Sequence, residues 1–186
     1  MDALVTDLTI ENVVATAAIG HGIDLRGITK VFRNVDYRPK RFPGLVFRLK
    51  RPKTSTLIFR TGKMVCTGAK SEKQARRVIR KVLKLLRKAD IIILSKPKVE
   101  IVNIVASGDL GENVDLEMTA DIMGNVMYEP EMFPGLIYRM QEPKVVLLIF
   151  ASGKIVCTGA KNEKQVYKAV EKISNMLEGE NLFYET

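Results

Sequence analysis

Histidine is nearly absent. The chain has one, His21, so no serine or cysteine triad can be assembled around an imidazole base. Only two cysteines occur, Cys66 and Cys157, and neither they nor any histidine cluster has zinc spacing. As two lone thiols in an unsecreted chain they are expected to be reduced, small and buried. No apolar run approaches the length of a membrane span. The start, Met1-Asp2-Ala3, lacks the basic-then-apolar pattern of a signal peptide. Carboxylates are scarce in the first half, which disfavours a two-acid site repeated in both halves. Gly68-Ala69-Lys70 lacks the spacing and order of a Walker loop. Low-complexity segments are missing. No catalytic residue, metal or cofactor is expected, and no membrane partner.

What is present is a repetition. Phe42-Pro43-Gly44-Leu45 and Cys66-Thr67-Gly68-Ala69-Lys70 return as Phe133-Pro134-Gly135-Leu136 and Cys157-Thr158-Gly159-Ala160-Lys161. The same offset carries Asn12 to Asn103, Asp24 to Asp115 and Lys63 to Lys154. From Ile10 to Leu86 the copies align without a gap, with roughly four positions in ten identical, which reads as one motif built twice about a pseudo-two-fold axis. The repeats are placed at residues 1–94 and 95–186.

Charge is unevenly shared. The whole chain carries a net +9. Residues 1–91 hold a net +14 and residues 92–186 a net −5. The positive half favours a polyanionic partner, although a basic helix is often only a solvated surface.

Each copy reads as strand, helix, four strands, helix. Residues 8–16 are β-branched and partly alternating. Asp24 is placed to cap a short helix with Leu25, Ile28, Val31 and Phe32 on one face; its echo starts at Asp115 and is expected to stop at Gly124 as the C′ glycine. Ser71 and Gln74 form a capping box for a helix to about Lys88, apolar at Ala75, Val78, Ile79, Val82, Leu85 and Leu86. Two helices can cover one face of a five-stranded sheet but not both. The strands are apolar on both sides: Met64 and Cys66 oppose Val65 and Thr67, and Ile58 opposes Leu57 and Phe59. An apolar face therefore remains for a ligand to cover. Around it stand the amides of Asn12 and Asn103, suited to acceptors on a base edge, and the hydroxyls of Thr67 and Thr158. Arg48, Lys63, Lys70 and their echoes Arg139, Lys154 and Lys161 are placed to meet phosphates. Phe42 with Phe59, and Phe133 with Phe150, fall near the turn-rich corners.

The pattern from Tyr37 and Pro39 through Phe42-Pro43-Gly44-Leu45, Arg48, Pro52-Lys53, Leu57-Ile58-Phe59 and Gly62-Lys63 to Cys66-Thr67-Gly68-Ala69-Lys70, repeated from Tyr128 to Lys161, resembles the TATA-box-binding protein family over residues 5 to 180. The resemblance implies an α+β saddle: one curved ten-stranded antiparallel sheet, five strands per copy, with four helices on the convex face. It implies a general transcription initiation factor, not an enzyme, that binds and bends A·T-rich promoter DNA through the minor groove. Phe42 with Phe59 and Phe133 with Phe150 match the wedges at the end base steps. Asn12 and Asn103, with Thr67 and Thr158, match the central amide readers. Val14, Leu57, Val65, Val105, Leu148 and Val156 match the apolar floor. Arg48, Thr61, Lys63, Lys70, Arg139, Ser152, Lys154 and Lys161 match polar and phosphate contacts. The partners implied are transcription factor B, docked at Glu129, Glu131 and Met132, and RNA polymerase. The free protein is a candidate homodimer through the concave face. An archaeal cytoplasm, associated with the nucleoid, is the implied location, with a nucleus second.

Two corners depart from each other. Arg38-Pro39-Lys40-Arg41 is basic, whereas Glu129-Pro130-Glu131-Met132 is acidic with an apolar tip. The competing functions are a glycosylase-related half-fold, for which the chain has no room for the added catalytic domain, and a sheet platform for single strands, which would stack bases on mid-strand aromatics. A peptide-binding scaffold is the third.

Overall fold

The computed structural model describes residues 7–185; the chain's start at Met1-Asp2-Ala3 lies outside them. Two compact units emerge among the described residues, 12–102 and 7–11 with 103–185. In chain order the first copy contains β1 (Thr9–Ala18), α1 (Leu25–Val31), β2 (Val35–Asp36), β3 (Leu45–Lys50), β4 (Lys53–Ile58), β5 (Lys63–Ala69) and α2 (Glu72–Lys88). The second contains β6 (Glu100–Asp109), β7 (Asn113–Val114), α3 (Leu116–Ile122), β8 (Val126–Met127), β9 (Leu136–Met140), β10 (Val145–Ile149), β11 (Lys154–Ala160), α4 (Glu163–Gly179) and β12 (Phe183–Tyr184). Ten of these strands form the ten-stranded sheet: β2-β3-β4-β5-β1 from one copy and β6-β11-β10-β9-β8 from the other. The remaining two, β7 and β12, pair antiparallel with each other and add to the ten that the repeat foretold.

Helix starts follow capping chemistry. Asp24 Oδ1 accepts from the Gly27 N–H at 3.0 Å and Asp115 Oδ1 from the Met118 N–H at 2.9 Å, satisfying donors that the first turn leaves orphaned. Ser71 Oγ accepts from the Gln74 N–H at 3.0 Å, and Asn162 does the same for Gln165 at 2.9 Å. The return half of the capping box is shifted by one residue. Gln74 Oε1 accepts from the Lys70 N–H at 2.8 Å, one position before the cap, as Gln165 does from Lys161. Gly124 is not the left-handed residue after α3; Asn125 takes that conformation at φ 60, a role its short polar side chain allows.

The core lies between the helices and one face of each five-stranded half. Ala75, Val78, Ile79, Val82, Leu83 and Leu86 of α2 are buried against Met64, Cys66 and Ile58. Leu83 takes the place expected of Leu85, which is half-buried. Val31 is 55% exposed because α1 ends there; Phe32 turns inward instead and meets Phe47 edge-on at 5.0 Å. The basic side of α2 is partly structural. The Arg76 guanidinium donates to Val99 O, Lys81 Nζ to Arg51 O at 2.9 Å, and Arg87 to Ile93 O at 3.3 Å and Ser95 O at 2.6 Å. The two arginines hold the segment between the copies onto the first one, and Lys81 ties α2 to the turn between β3 and β4.

Candidate nucleic-acid interface

Strand alternation sorts the sheet residues into two sets. On β1, β3, β4 and β5 the residues Val13, Ala15, Leu45, Phe47, Ile58, Met64 and Cys66 are buried beneath helices. Their neighbours Asn12, Val14, Val46, Leu57, Val65 and Thr67 are only half-buried, because adjacent residues point to opposite faces and nothing in the unit covers the second face. The second copy repeats this with Asn103, Val105, Ile137, Leu148, Val156 and Thr158 half-buried.

Register arranges this open face in rows. Val65 lies between Thr16 and Leu57, and Leu57 is opposite Val46; the echo runs Ser107, Val156, Leu148, Ile137. These are apolar floors with one hydroxyl at the end. A second row runs Thr67, Ser55, Arg48 and, in the other copy, Thr158, Val146, Arg139. Both arginines are exposed. A groove beside the first of these rows is lined by Arg33, Arg48, Lys50, Lys53, Thr67 and Lys70. Thr61, Lys63, Ser152, Lys154 and Lys161 are exposed at strand and turn ends. Thr16, Ser107, Val46, Ile137, Ser55 and Val146 were missing from the residues picked on sequence; strict two-residue parity with Val14, Arg48 and Leu57 was the signal that would have found them.

The asparagines are held in one orientation by a bulge. Val13 pairs with Ala69 but Ala15 with Cys66, so β5 carries an extra residue opposite β1. The same shift occurs between Ile104–Ala160 and Ala106–Cys157. At the bulge Gly68 and Gly159 adopt φ +95, a conformation costly for any residue with a Cβ. The turned backbone aims the Gly68 N–H at Asn12 Oδ1, 2.7 Å away, and the Gly159 N–H at Asn103 Oδ1, also 2.7 Å. With the amide oxygen facing that donor, Nδ2 donates one proton to the threonine hydroxyl, at 3.1 Å for Thr67 and 3.4 Å for Thr158. An amide nitrogen carries two protons. The second has no protein partner among the described residues, so each asparagine offers the open face a donor and not an acceptor.

The phenylalanines form two matched pairs. Phe42 and Phe59 have ring centroids 5.9 Å apart at 66°, and Phe133 and Phe150 are 5.9 Å apart at 68°. Edge-to-face stacking is favourable for quadrupolar rings. Phe42 is 41% and Phe133 37% exposed, so these rings are not ordinary core. Each pair rests on a glycine. A Cβ on Gly44 would lie 2.7 Å from Phe42 Cε1 and 3.1 Å from Phe59 Cε1, and one on Gly135 would meet Phe133 and Phe150 at the same distances. The Phe-Pro-Gly sequence is thus a seat for the rings as well as a turn.

The corners share a backbone but not a charge. Arg41 and Phe42 N–H groups donate to Arg38 O at 2.9 and 3.0 Å, and Met132 and Phe133 do so to Glu129 O, both at 2.9 Å. Met132 is 83% exposed. Cys66 and Cys157 are buried in the helix-covered layer, where burial pushes both thiols up to about 11. They are protonated and unreactive near neutrality. Among the described residues no cluster of histidine, cysteine, aspartate or glutamate could hold a metal, and no helix is long and apolar enough to cross a membrane.

Residues 7–89 and 98–179 each match the family described as "Transcription factor TFIID (or TATA-binding protein, TBP)". The chain is 52% identical over 175 residues to the TATA-box-binding protein of Pyrobaculum neutrophilum, covering 94% of this chain and 89% of that one. It is 54% identical over 168 residues to that of Pyrodictium occultum, covering 90% and 84%. The solved structure of Methanococcus jannaschii TBP superposes with a TM-score of 0.85 at 45% identity, covering 94% of this chain and 99% of that one. Four helices, a ten-stranded sheet and a doubled sequence are what the resemblance implied. The chain belongs to the TATA-box-binding protein family.

Proposed function

We propose that the chain is a general transcription initiation factor, not an enzyme, that binds A·T-rich promoter duplex in the minor groove and bends it. Residues 1–94 and 95–186 serve as its two DNA-binding repeats. The observation that carries this is the donor-only amide at Asn12 and again at Asn103, each set in an apolar face. A·T and T·A pairs offer the minor groove only acceptors, and a G·C pair adds an amino donor. A donor facing acceptors gains a hydrogen bond. The same donor facing a guanine amino group gains none, and Val14, Leu57, Val65, Val105, Leu148 and Val156 give that amino group nothing to bond.

The remaining groups take complementary parts. Arg48, Lys63, Lys70, Arg139, Lys154 and Lys161, with Thr61 and Ser152, meet phosphates and sugars, which fixes position and makes binding salt-dependent. The seated pairs Phe42/Phe59 and Phe133/Phe150 wedge between base steps; minor-groove proteins that do this kink the duplex, and the TATA-binding family is itself the standard example. Unstacking is easiest at flexible TA steps, so deformability adds to the selection.

Glu129, Glu131 and Met132 form the docking corner for transcription factor B, through which RNA polymerase is recruited. An apolar tip beside two carboxylates suits an interface anchor with a polar rim. Without DNA the open apolar face pairs with that of a second chain. The protein works in an archaeal cytoplasm on nucleoid DNA.

A mobility shift combined with end-to-end fluorescence transfer on an A·T-rich duplex tests the core of this. Wild type should shift the duplex and shorten its end-to-end distance. Phe42→Ala and Phe150→Ala should weaken binding and reduce the bend, and single strands should compete poorly. A shift without bending, or equal affinity for single strands, would refute it. Glu129→Lys with Glu131→Lys should weaken the ternary complex with transcription factor B and spare the binary one; equal loss in both would remove the corner's role.

A further inference from the structure

We propose that the outer surface of the first repeat, around Ile92 and Leu94, docks an acidic amphipathic segment of a partner protein. Ile92 is 70% and Leu94 82% exposed. Protruding aliphatic side chains are unremarkable on a loose tail, but this backbone is pinned. The Ile91 N–H donates to Leu86 O at 3.1 Å, the Leu94 N–H to His21 Nε2 at 3.2 Å, and Ser95 Oγ to Ile19 O at 2.8 Å. Arg87 spans Ile93 O and Ser95 O, and Ile93 between the two is buried. The result is a preordered pair of apolar knobs.

Cations stand on the two helices that hold this segment. Lys84, Arg87 and Lys88 occupy the last turns of α2, and all three are exposed. Ile91 Cδ1 lies 3.5 Å from where a Cβ on Gly27 would be, which brings the segment onto α1, where exposed Arg26 and Lys30 flank that glycine. The acids nearby are Asp24, engaged in capping α1, and Asp90. A phosphate backbone would reward the cations and leave both aliphatic chains wet. A protein segment with carboxylates around apolar side chains rewards both, as at a hydrophobic contact with a polar rim. The second repeat lacks the arrangement. Phe183, in the place of Ile92, is half-buried and paired with Val114, and Leu94 is replaced by Glu185. Arg26, Lys30 and Arg87 become Glu117, Asp121 and Glu178.

The test uses fluorescence anisotropy with a labelled synthetic helical peptide carrying leucines on one face and glutamates on the other. Controls are the same peptide with serine for leucine, and a mixed-sequence duplex. The full chain should bind the leucine peptide. Ile92→Ser with Leu94→Ser, and separately Lys84→Glu with Lys88→Glu, should each lower its affinity at least about tenfold. Met118→Ser with Ile122→Ser in the second repeat should change nothing. Every variant should keep the wild-type melting temperature within a few degrees and its affinity for the A·T-rich duplex. Equal binding of the serine peptide, no loss in the Ile92/Leu94 variant, or displacement of the peptide by mixed-sequence duplex would overturn the proposal. So would ultracentrifugation showing that this surface joins two copies of the chain. Loss of duplex binding by wild type with peptide binding intact would instead strike the proposed promoter function alone.

Discussion

The two repeats agree on one surface and disagree on another. On the open face the chemistry is kept: Asn12 and Asn103, Arg48 and Arg139, Leu57 and Leu148, Lys63 and Lys154, Thr67 and Thr158 are identical. So are the ring pairs and the bulge geometry, down to φ +95 at Gly68 and Gly159. On the outer surface the sign of the charge reverses at matched exposed positions. Arg26 becomes Glu117, Lys30 Asp121, Arg38 Glu129, Lys40 Glu131, Arg80 Glu171 and Arg87 Glu178. Matching helices and sheet strands under opposite coats show that the backbone does not dictate these charges. A duplex offers the same backbone and the same degenerate acceptors to both halves, which calls for matched chemistry. Partners that approach from one end have no such symmetry, and the coats are free to diverge.

The largest expected effect breaks the matched half of this comparison. Asn12→Asp or Asn103→Asp keeps the acceptor for the glycine N–H and replaces the outward donor with a charged acceptor. Each should cost about 3 kcal/mol of duplex affinity, and the two losses should be alike when measured by anisotropy at fixed salt. A loss at one site alone would end the equivalence. Next, Gly44→Ala and Gly135→Ala put a methyl group under the ring pairs and push the rings off their seats. We expect about 1–2 kcal/mol lost from duplex affinity, again equally, with a smaller bend by fluorescence transfer.

The buried thiols provide a pH test of the shared core. Both are pushed up to about 11 from 9.0. In the folded chain they therefore hold protons that the unfolded chain releases between those values. Their contribution is complete below pH 9 and is lost as pH rises through 11, about 2–3 kcal/mol per thiol. Urea midpoints of wild type should fall faster over that window than those of Cys66→Ala with Cys157→Ala. The smallest effect sharpens a difference between the cores. The Thr56 hydroxyl is buried with only the weak Cys66 thiol beside it to bond, whereas Leu147 occupies the matching place opposite Cys157. Thr56→Val should stabilise the chain by about 1 kcal/mol, seen as a higher melting temperature.

Much of this was legible in the sequence because it depends on local pattern. The fixed offset gave the two repeats, and two-residue alternation separated Val65 and Thr67 from Met64 and Cys66. Asp24 and Ser71 marked helix starts. What escaped needed distant partners. The bulge at Gly68 places one extra residue opposite β1, and only that pairing turns its N–H toward Asn12, 56 positions away. The amide's donor-only character follows from it and could not be read from an isolated asparagine. The seat beneath Phe42 and Phe59 required knowing that both rings converge on Gly44. Likewise, the arginines of α2 looked like a solvated stripe, while Arg76 and Arg87 reach carbonyls beyond the helix end. β12 is two residues long and owes its existence to β7, a pairing with no pattern of its own.

The most direct measurement of the central claim swaps pairs in an A·T-rich duplex. Inosine·cytosine keeps the minor groove free of the guanine amino group while changing the major groove. If donor-only amides on an apolar face read the minor groove, the inosine duplex should bind within about threefold of the A·T original. The matching guanine duplex should bind far more weakly. An inosine duplex bound as poorly as the guanine one would contradict the account.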